Sequence, residues 1–252
     1  MKKITFSTLV ISGILGSLVT LNSLASHTSN QESNDLLAYA SPSETPAPQS
    51  ENKKPPISVC SSGKINDYPY VDLGLSVKWA IFNVGAPRPW SNSSFYGWGM
   101  DYTAKSVYDF NSHWGKWLGN ISGSDYDVAR TTWGSPWRMP TKEEAQELID
   151  KCRWEWTQLA EKNGYKVIGP NGRWIFLPAA GYLNEYCHWV KGGKEGKGGD
   201  WGLYWLADQY SDGAAFALAF DNPVAYAGQN TLKISIEPIT EAQFSVRPVA
   251  DY

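Results

Sequence analysis

The stretch Trp133–Trp156, WGSPWRMPTKEEAQELIDKCRWEW, sets four tryptophans and two prolines around one short charged helix. Thr141 stands three residues before Glu144, the spacing of a capping box. There the hydroxyl and the carboxylate each take one of the backbone N–H groups that a helix start leaves unpaired. Ala145, Leu148, Ile149 and Cys152 then fall at i, i+3, i+4 and i+7, a single apolar stripe that has to face a core. Lys142, Glu143, Gln146, Glu147 and Asp150 take the solvent side. Capping and solvation account for the adjacent Glu143 and Glu144 without a catalytic role, because a carboxylate with a shifted pKa needs burial or a close partner charge. Upstream, Trp133 and Trp137 bracket a Gly-Ser-Pro turn that Met139 and Pro140 deliver into the helix, so both rings are expected to be buried. Downstream, Trp154 and Trp156 alternate with Arg153, Glu155 and Thr157, which predicts an extended segment with both indoles on one inward face.

Outward from this stretch the chain reads mostly as strands. In YPYVDLGLSVKWA, Val71, Leu73, Leu75, Val77 and Trp79 alternate with polar or small residues, the pattern of a half-buried strand or a bent pair of strands. SDYDVARTTWG predicts a short helix stopped at Gly134. NGYKVIGPNGRWIFLPAAGY predicts a hairpin: Tyr165 and Val167 face Ile175 and Leu177 across a Pro170-Asn171-Gly172 turn. WGLYWLADQ, AAFALAFD, TLKISIEP and FSVRPVAD read as further strands. Between 86 and 120 the sequence is aromatic and polar with no usable period. Residues 191–199 form a glycine- and lysine-rich loop without the Gly-Lys-Ser/Thr and strand-to-helix setting of a phosphate cradle. The fold class is therefore α+β, dominated by strands, with one or two short helices.

The ends and the composition set the compartment. Lys2 and Lys3 precede an apolar run, Leu9 to Leu21, and Ser23-Leu24-Ala25 supplies a small-x-small site, so residues 1–25 are expected to be a signal peptide cleaved after Ala25. No cysteine follows the run, which excludes the usual lipoprotein attachment. Residues 26–65 are rich in Ser, Asn, Glu and Pro, a tether too poor in large apolar groups to offset its ordering entropy. All thirteen tryptophans lie between Trp79 and Trp205, and one domain is expected over 66–252. The formal charge of −3 falls by two when the leader's lysines are removed. That acidic balance excludes a nucleic-acid or anionic-membrane partner, which needs clustered cations. No later run is apolar and long enough to span a bilayer. Of Cys60, Cys152 and Cys187, at most two can pair, and the spacing does not choose which. Cys152, on the helix stripe, is expected to stay reduced. Without a C-x-x-C, and with so few histidines, no metal or cofactor is expected.

Several motifs together resemble one family. YVDLGLSVKWA with NVGA at 83–86, WRMPT with Glu144, NGYKV with GPNG and FLPAAGY, Tyr204-Trp205 and SVRPV at 245–249 occur in the order seen in the Fibrobacter succinogenes major paralogous domain. That family is abundant in secreted proteins of Bacteroidetes-like bacteria and is similar to the C-type-lectin-like fold. The resemblance covers about Tyr70 to Val249. It implies helices beside twisted antiparallel sheets, with the N- and C-terminal strands close together. Where the family often carries ATCNVGA, Phe82 stands in place of the cysteine. The calcium-binding triplets of lectins with this fold are missing, which implies a calcium-independent domain. The related formylglycine-generating enzymes use a reactive cysteine pair, and a thiol on a helix's apolar stripe is an inert small hydrophobe.

Fold alone does not settle function. The leading expectation is a non-catalytic, adhesin-like carbohydrate-binding or surface-protein-binding domain, secreted or held at the cell surface. Its motivation is the aromatic excess in loop-like sequence: Trp90, Tyr96, Trp98, Trp114, Trp117, Tyr186, Trp189 and Trp201 are candidate ligand-binding residues, since half-exposed rings stack on apolar ligand faces at low entropy cost. Trp79, Trp133, Trp137 and Trp205, in periodic or motif-bound settings, are expected in the core. A second reading is a self-assembling surface or pilus-like component. A third, a polysaccharide-acting enzyme, would need two convergent carboxylates, and Asp72, Asp101, Asp109, Asp125, Asp127 and Asp200 offer no motif to select them.

Overall fold

Two strands that read as nearly unbroken apolar runs form the middle of the structure. The computed structural model describes residues 61–91, 94–100, 117–184, 186, 188–190, 199–224, 231–239 and 242–252. For later reference the strands are β1 (Gly63–Ile65), β2 (Tyr68–Val71), β3 (Lys78–Ala80), β4 (Arg153–Leu159), β5 (Lys162–Ile168), β6 (Trp174–Pro178), β7 (Tyr182–Asn184), β8 (Trp189–Val190), β9 (Trp201–Ser211), β10 (Ala214–Asp221), β11 (Lys233–Pro238), β12 (Ala242–Gln243) and β13 (Val249–Ala250). The helices are α1 (Val128–Trp133) and α2 (Lys142–Lys151). β9 and β10 pair along most of their length, with β11 outside β10. A strand buried on one face alternates, whereas one buried on both does not. β9 and β10 are of the second kind: Trp205, Ala207, Ala215 and Ala217 join one core, and Tyr204, Leu206, Leu218 and Phe220 join the other.

The first core is closed by α1, Trp137, Met139, Tyr96 and Trp98. The second is closed by Ala145 and Leu148 of α2 together with Val167, Ile175 and Leu177 of the β4-β5-β6 sheet and the row Val71, Leu73, Leu75, Val77, Trp79. That row keeps its period-2 burial although the chain bends between β2 and β3, so the bent pair of strands is what forms. β2 and β3 pair antiparallel, and β13 adds to the far side of β3. Phe82 packs against both cores. All paired strands are antiparallel. The structure is thus mostly antiparallel sheet with two described helices, in keeping with an α+β or mainly-β class.

The Trp133–Trp156 stretch is a structural joint. Trp133 and Trp137 are buried and meet edge to face at 5.2 Å, and the Trp137 indole donates to the Ile65 carbonyl at 2.9 Å. Thr141 and Glu144 form the capping box. The same Glu144 carboxylate receives a bidentate fork from Arg138 at 2.6 and 2.9 Å, a partner the spacing did not reveal. Arg138 also reaches Asp251 at 2.6 Å. These bonds, with burial working against them, hold its guanidinium above its ordinary pKa. Trp154 and Trp156 share the face of β4 that Tyr165 covers from β5, at 5.4 and 5.1 Å, and both are half-buried.

Three readings need correction. β1, whose Ile65 pairs with Tyr68, belongs to the folded sheet, so the domain begins before residue 66. Glu147 does not lie free on the solvent side of α2: its carboxylate accepts from the Ser76 N–H at 3.0 Å, the Ser76 hydroxyl at 2.5 Å and Lys151 at 2.8 Å. Cys152 is reduced, as expected, but sits just past the end of α2 as its C-cap, half-buried against the second core. Burial, then the Glu147 charge, pushes its thiol up to about 11. Chain contacts group Asn52–Tyr252 as one unit. The leader, most of the tether, Cys60, Cys187 and the 191–198 part of the glycine-rich loop lie outside the described residues.

Candidate functional site

A pocket of about 330 Å³ opens on the first-core face of β9, where the β9-β10-β11 sheet meets the β12-β7-β8 sheet. Its size is at the lower end of ligand sites. β9 contributes Trp201 and Leu203, β7 contributes Tyr182 and Asn184, β11 contributes Glu237 and Pro238, and Ala242 and Phe244 complete the lining. β10, between β9 and β11, carries Ala215, Ala217, Ala219 and, at its end, Asp221 on this face, with Ala215 paired to Glu237, Ala219 to Leu203 and Asp221 to Trp201. The small alanine side chains let the wall residues of the flanking strands stand above the sheet.

The walls are aromatic. Tyr182 lies nearly parallel to Trp201, centroids 6.5 Å apart, and nearly perpendicular to Phe244 at 5.9 Å. Phe244 is buried and stacked on Trp205 at 4.1 Å, which fixes the inner wall. Two polar groups join them. The Asn184 Oδ1 accepts from the backbone N–H groups of Tyr186 (3.1 Å) and His188 (2.9 Å). That settles the orientation of the amide and leaves its NH₂ as a donor unused within the described chain. Glu237 is half-buried; burial holds its carboxyl above the ordinary value, against the opposing pull of the Ser235 hydroxyl and the Lys233 charge. Apolar rings with a few fixed polar groups are what a small-ligand site needs.

The structure describes seven of the eight candidate residues, and it distributes them rather than gathering them. Of the described ones, Trp201 alone lines this pocket. Tyr186, 67% exposed, lies in the turn after Asn184. Trp189, 44% exposed, pairs with Leu183 and so stands on the face of the β7–β8 hairpin opposite Tyr182, its indole donating to the Ala180 carbonyl at 2.8 Å. Trp117, 60% exposed, precedes a segment held by the Gln209 Oε1, which accepts from the N–H groups of Leu118 (2.6 Å) and Gly119 (3.1 Å). Gln209 is eight residues along β9 from Trp201, roughly 26 Å at the rise of a strand. Trp90 is half-buried with the Arg88 guanidinium 5.8 Å above its ring. Trp114 lies outside the described residues.

Tyr96 and Trp98 are core residues, 7% and 4% exposed, and leave the set of ligand-contacting candidates. Their polar, glycine-rich flanks read as open loop, yet irregular backbone can be buried once its polar groups are paired. Tyr96 exchanges both backbone bonds with Phe244 (2.9 and 3.0 Å), and the Trp98 indole donates to Leu206 O at 2.8 Å.

Sequence reading missed Tyr182, Asn184, Glu237 and Phe244, because a pocket assembled at the seam of two sheets depends on long-range pairing that no local pattern carries. Among the carboxylates weighed for catalysis, Asp127 is the N-cap of α1 and accepts from four backbone N–H groups, those of Gly123, Ala129, Arg130 and Met139. Its role is to tie the helix to the 137–139 segment. No group of three or more His, Cys, Asp or Glu able to hold a metal occurs among the described residues, and no described helix is long and apolar enough to cross a membrane. Comparison with protein-family models, with curated proteins and with solved structures returned no match.

Proposed function

We propose that this chain is an exported, non-catalytic recognition domain of C-type-lectin-like fold, related to the Fibrobacter succinogenes major paralogous domain. In this reading it captures a glycan, without calcium, in the pocket between β7, β9, β11 and β12. The observation that carries the reading is the pairing of the Tyr182 and Trp201 rings with the Asn184 amide and the Glu237 carboxylate. A sugar ring has an apolar face of C–H groups and a rim of hydroxyls. Aromatic walls take the first and fixed donors and acceptors orient the second. The antiparallel pairing of β3 with β13 supports the fold reading, since the resemblance implies adjacent terminal strands.

A glycan array probed with the full-length protein and with Trp201→Ala tests this. The wild type is expected to retain a subset of glycans and the variant to lose them while its melting temperature shifts only a few degrees. Retention of the same glycans by Trp201→Ala would place binding elsewhere, and an array without signal would remove the glycan reading.

A further inference from the structure

The pocket between β7, β9, β11 and β12 holds one carboxylate among aromatic rings. Glu237 projects from the face of β11 that turns toward the first core, beside buried alanines and aromatic rings. Among the described residues, a carboxylate in that setting loses hydration and gains the Ser235 hydroxyl and the Lys233 charge in return. None of the ion pairs among the described residues involves it. A half-buried carboxylate with so little compensation is costly unless a ligand supplies the missing charge. The groups around it are suited to one sign. Tyr182, Trp201 and Phe244 present π faces and edges within a pocket only about 330 Å³ in volume, and aromatic faces attract cations within about 6 Å of the ring centroid. Among the described residues, no lysine or arginine contributes to the lining.

We propose that this pocket is specific for a ligand bearing an alkylammonium group, which the Tyr182, Trp201 and Phe244 rings enclose and the Glu237 carboxylate neutralises; on the glycan reading, on which this rests, the ligand is an amino sugar with a free amine. The Asn184 NH₂ is then the donor that meets a ring hydroxyl. A neutral N-acetylated sugar of the same shape keeps the ring stacking but leaves the Glu237 charge unanswered, and so binds more weakly.

Titration calorimetry of the full-length protein with three probes separates the possibilities: a glucosamine disaccharide, its N-acetylated counterpart, and choline. The free-amine sugar is expected to bind about tenfold or more tightly than the acetylated one, the order of a desolvated cation–π and charge contact. Glu237→Gln, nearly isosteric, is expected to erase that preference with an unchanged melting temperature, and Trp201→Ala to weaken both sugars. Equal affinity for the two sugars in the wild type would overturn the ammonium proposal while leaving glycan capture standing. Saturable binding of choline that Glu237→Gln abolishes, with neither sugar bound, would keep the ammonium site and overturn the glycan reading. Binding of none of the three, or a preference for the free amine that survives Glu237→Gln, would overturn the proposal.

Discussion

Arg247, the arginine of the SVRPV motif, is a guanidinium sealed inside the protein and, among the described residues, paired with no carboxylate. Its Nε donates to Asn83 Oδ1 at 2.7 Å, and its terminal nitrogens donate to the carbonyls of Ala80, Ile81 and Phe176 at 3.1, 2.9 and 2.9 Å. Desolvation pulls its pKa down to about 10, still far enough above neutrality to keep the charge. One planar fork thus ties the end of β3 to β6, a task a lysine's single ammonium cannot share out in the same geometry. Arg247→Met is expected to destabilise by about 3–5 kcal/mol, because four buried acceptors lose a donor at once, and Arg247→Lys to recover only part of that in denaturant unfolding. Glu147 gives the pH-dependent counterpart. Burial alone would raise its pKa, but the Lys151 and Ser76 donors together outweigh it and leave it lowered. A carboxylate lowered in the folded state adds stability that is fully present above its unfolded value and is lost as pH falls through the folded one. Glu147→Gln is therefore expected to cost about 1–2 kcal/mol at pH 7 and much less at pH 3, read from urea melts at both values. A loss of equal size at both would assign Glu147 a packing role. Neither residue's partners were legible in the sequence, since Ser76 lies 71 positions from Glu147 and Asn83 lies 164 from Arg247.

Elements were legible where local chemistry specifies them. The capping box fixed α2, and the Pro170-Asn171-Gly172 turn fixed the β5–β6 hairpin, with Val167 opposite Ile175 and Tyr165 opposite Leu177. Only Gly172 of that turn takes positive φ, at 81°, the residue that closes a three-residue hairpin. The hairpin before it was hidden by its own sequence. Its turn is Ala160-Glu161, φ 48° and 65°, a pair with none of the glycine or asparagine that marks a two-residue turn with left-handed backbone. Asn163-Gly164 lies inside β5, where a Cβ on Gly164 would run into the Leu177 carbonyl. Both Ala160 and Glu161 are exposed, so exchanging them loses no packing. Ala160→Asn with Glu161→Gly is expected to stabilise by about 1–2 kcal/mol through relief of left-handed strain, measurable as a higher urea midpoint with an unchanged slope. A lower midpoint would mean that the turn's strain is offset by something in this pair of residues. At the same scale, Thr141→Ala should cost about 1 kcal/mol.

At the scale of the whole molecule, the tryptophans divide by which face of which sheet they reach, and this is what composition could not tell. Trp79, Trp133, Trp137 and Trp205 fill the two cores, as their periodic or motif-bound settings led one to expect. The looser aromatics scatter: Trp98 is buried, Trp117 lies near the far end of β9, Trp189 faces away from Tyr182, and Trp201 lines the pocket. Scattering follows from the antiparallel meander, because loops adjacent in sequence are delivered to opposite ends and faces of the sheets. Among the described residues, the aromatics of 90–117 and 186–205 do not gather on one surface, and substitution separates the classes. Trp137→Ala, which empties a buried site and breaks the indole bond to Ile65, is expected to cost roughly 3–5 kcal/mol. Trp117→Ala is expected to move neither melting temperature nor ligand affinity. Trp201→Ala, half-buried beside Tyr182, should cost about 1 kcal/mol of stability and most of the affinity. Calorimetric melting beside binding measurements on these three variants checks the assignment. Loss of binding in Trp117→Ala with Trp201→Ala unaffected would transfer recognition to the opposite end of β9, where the segment carrying Trp117 is fastened through Gln209.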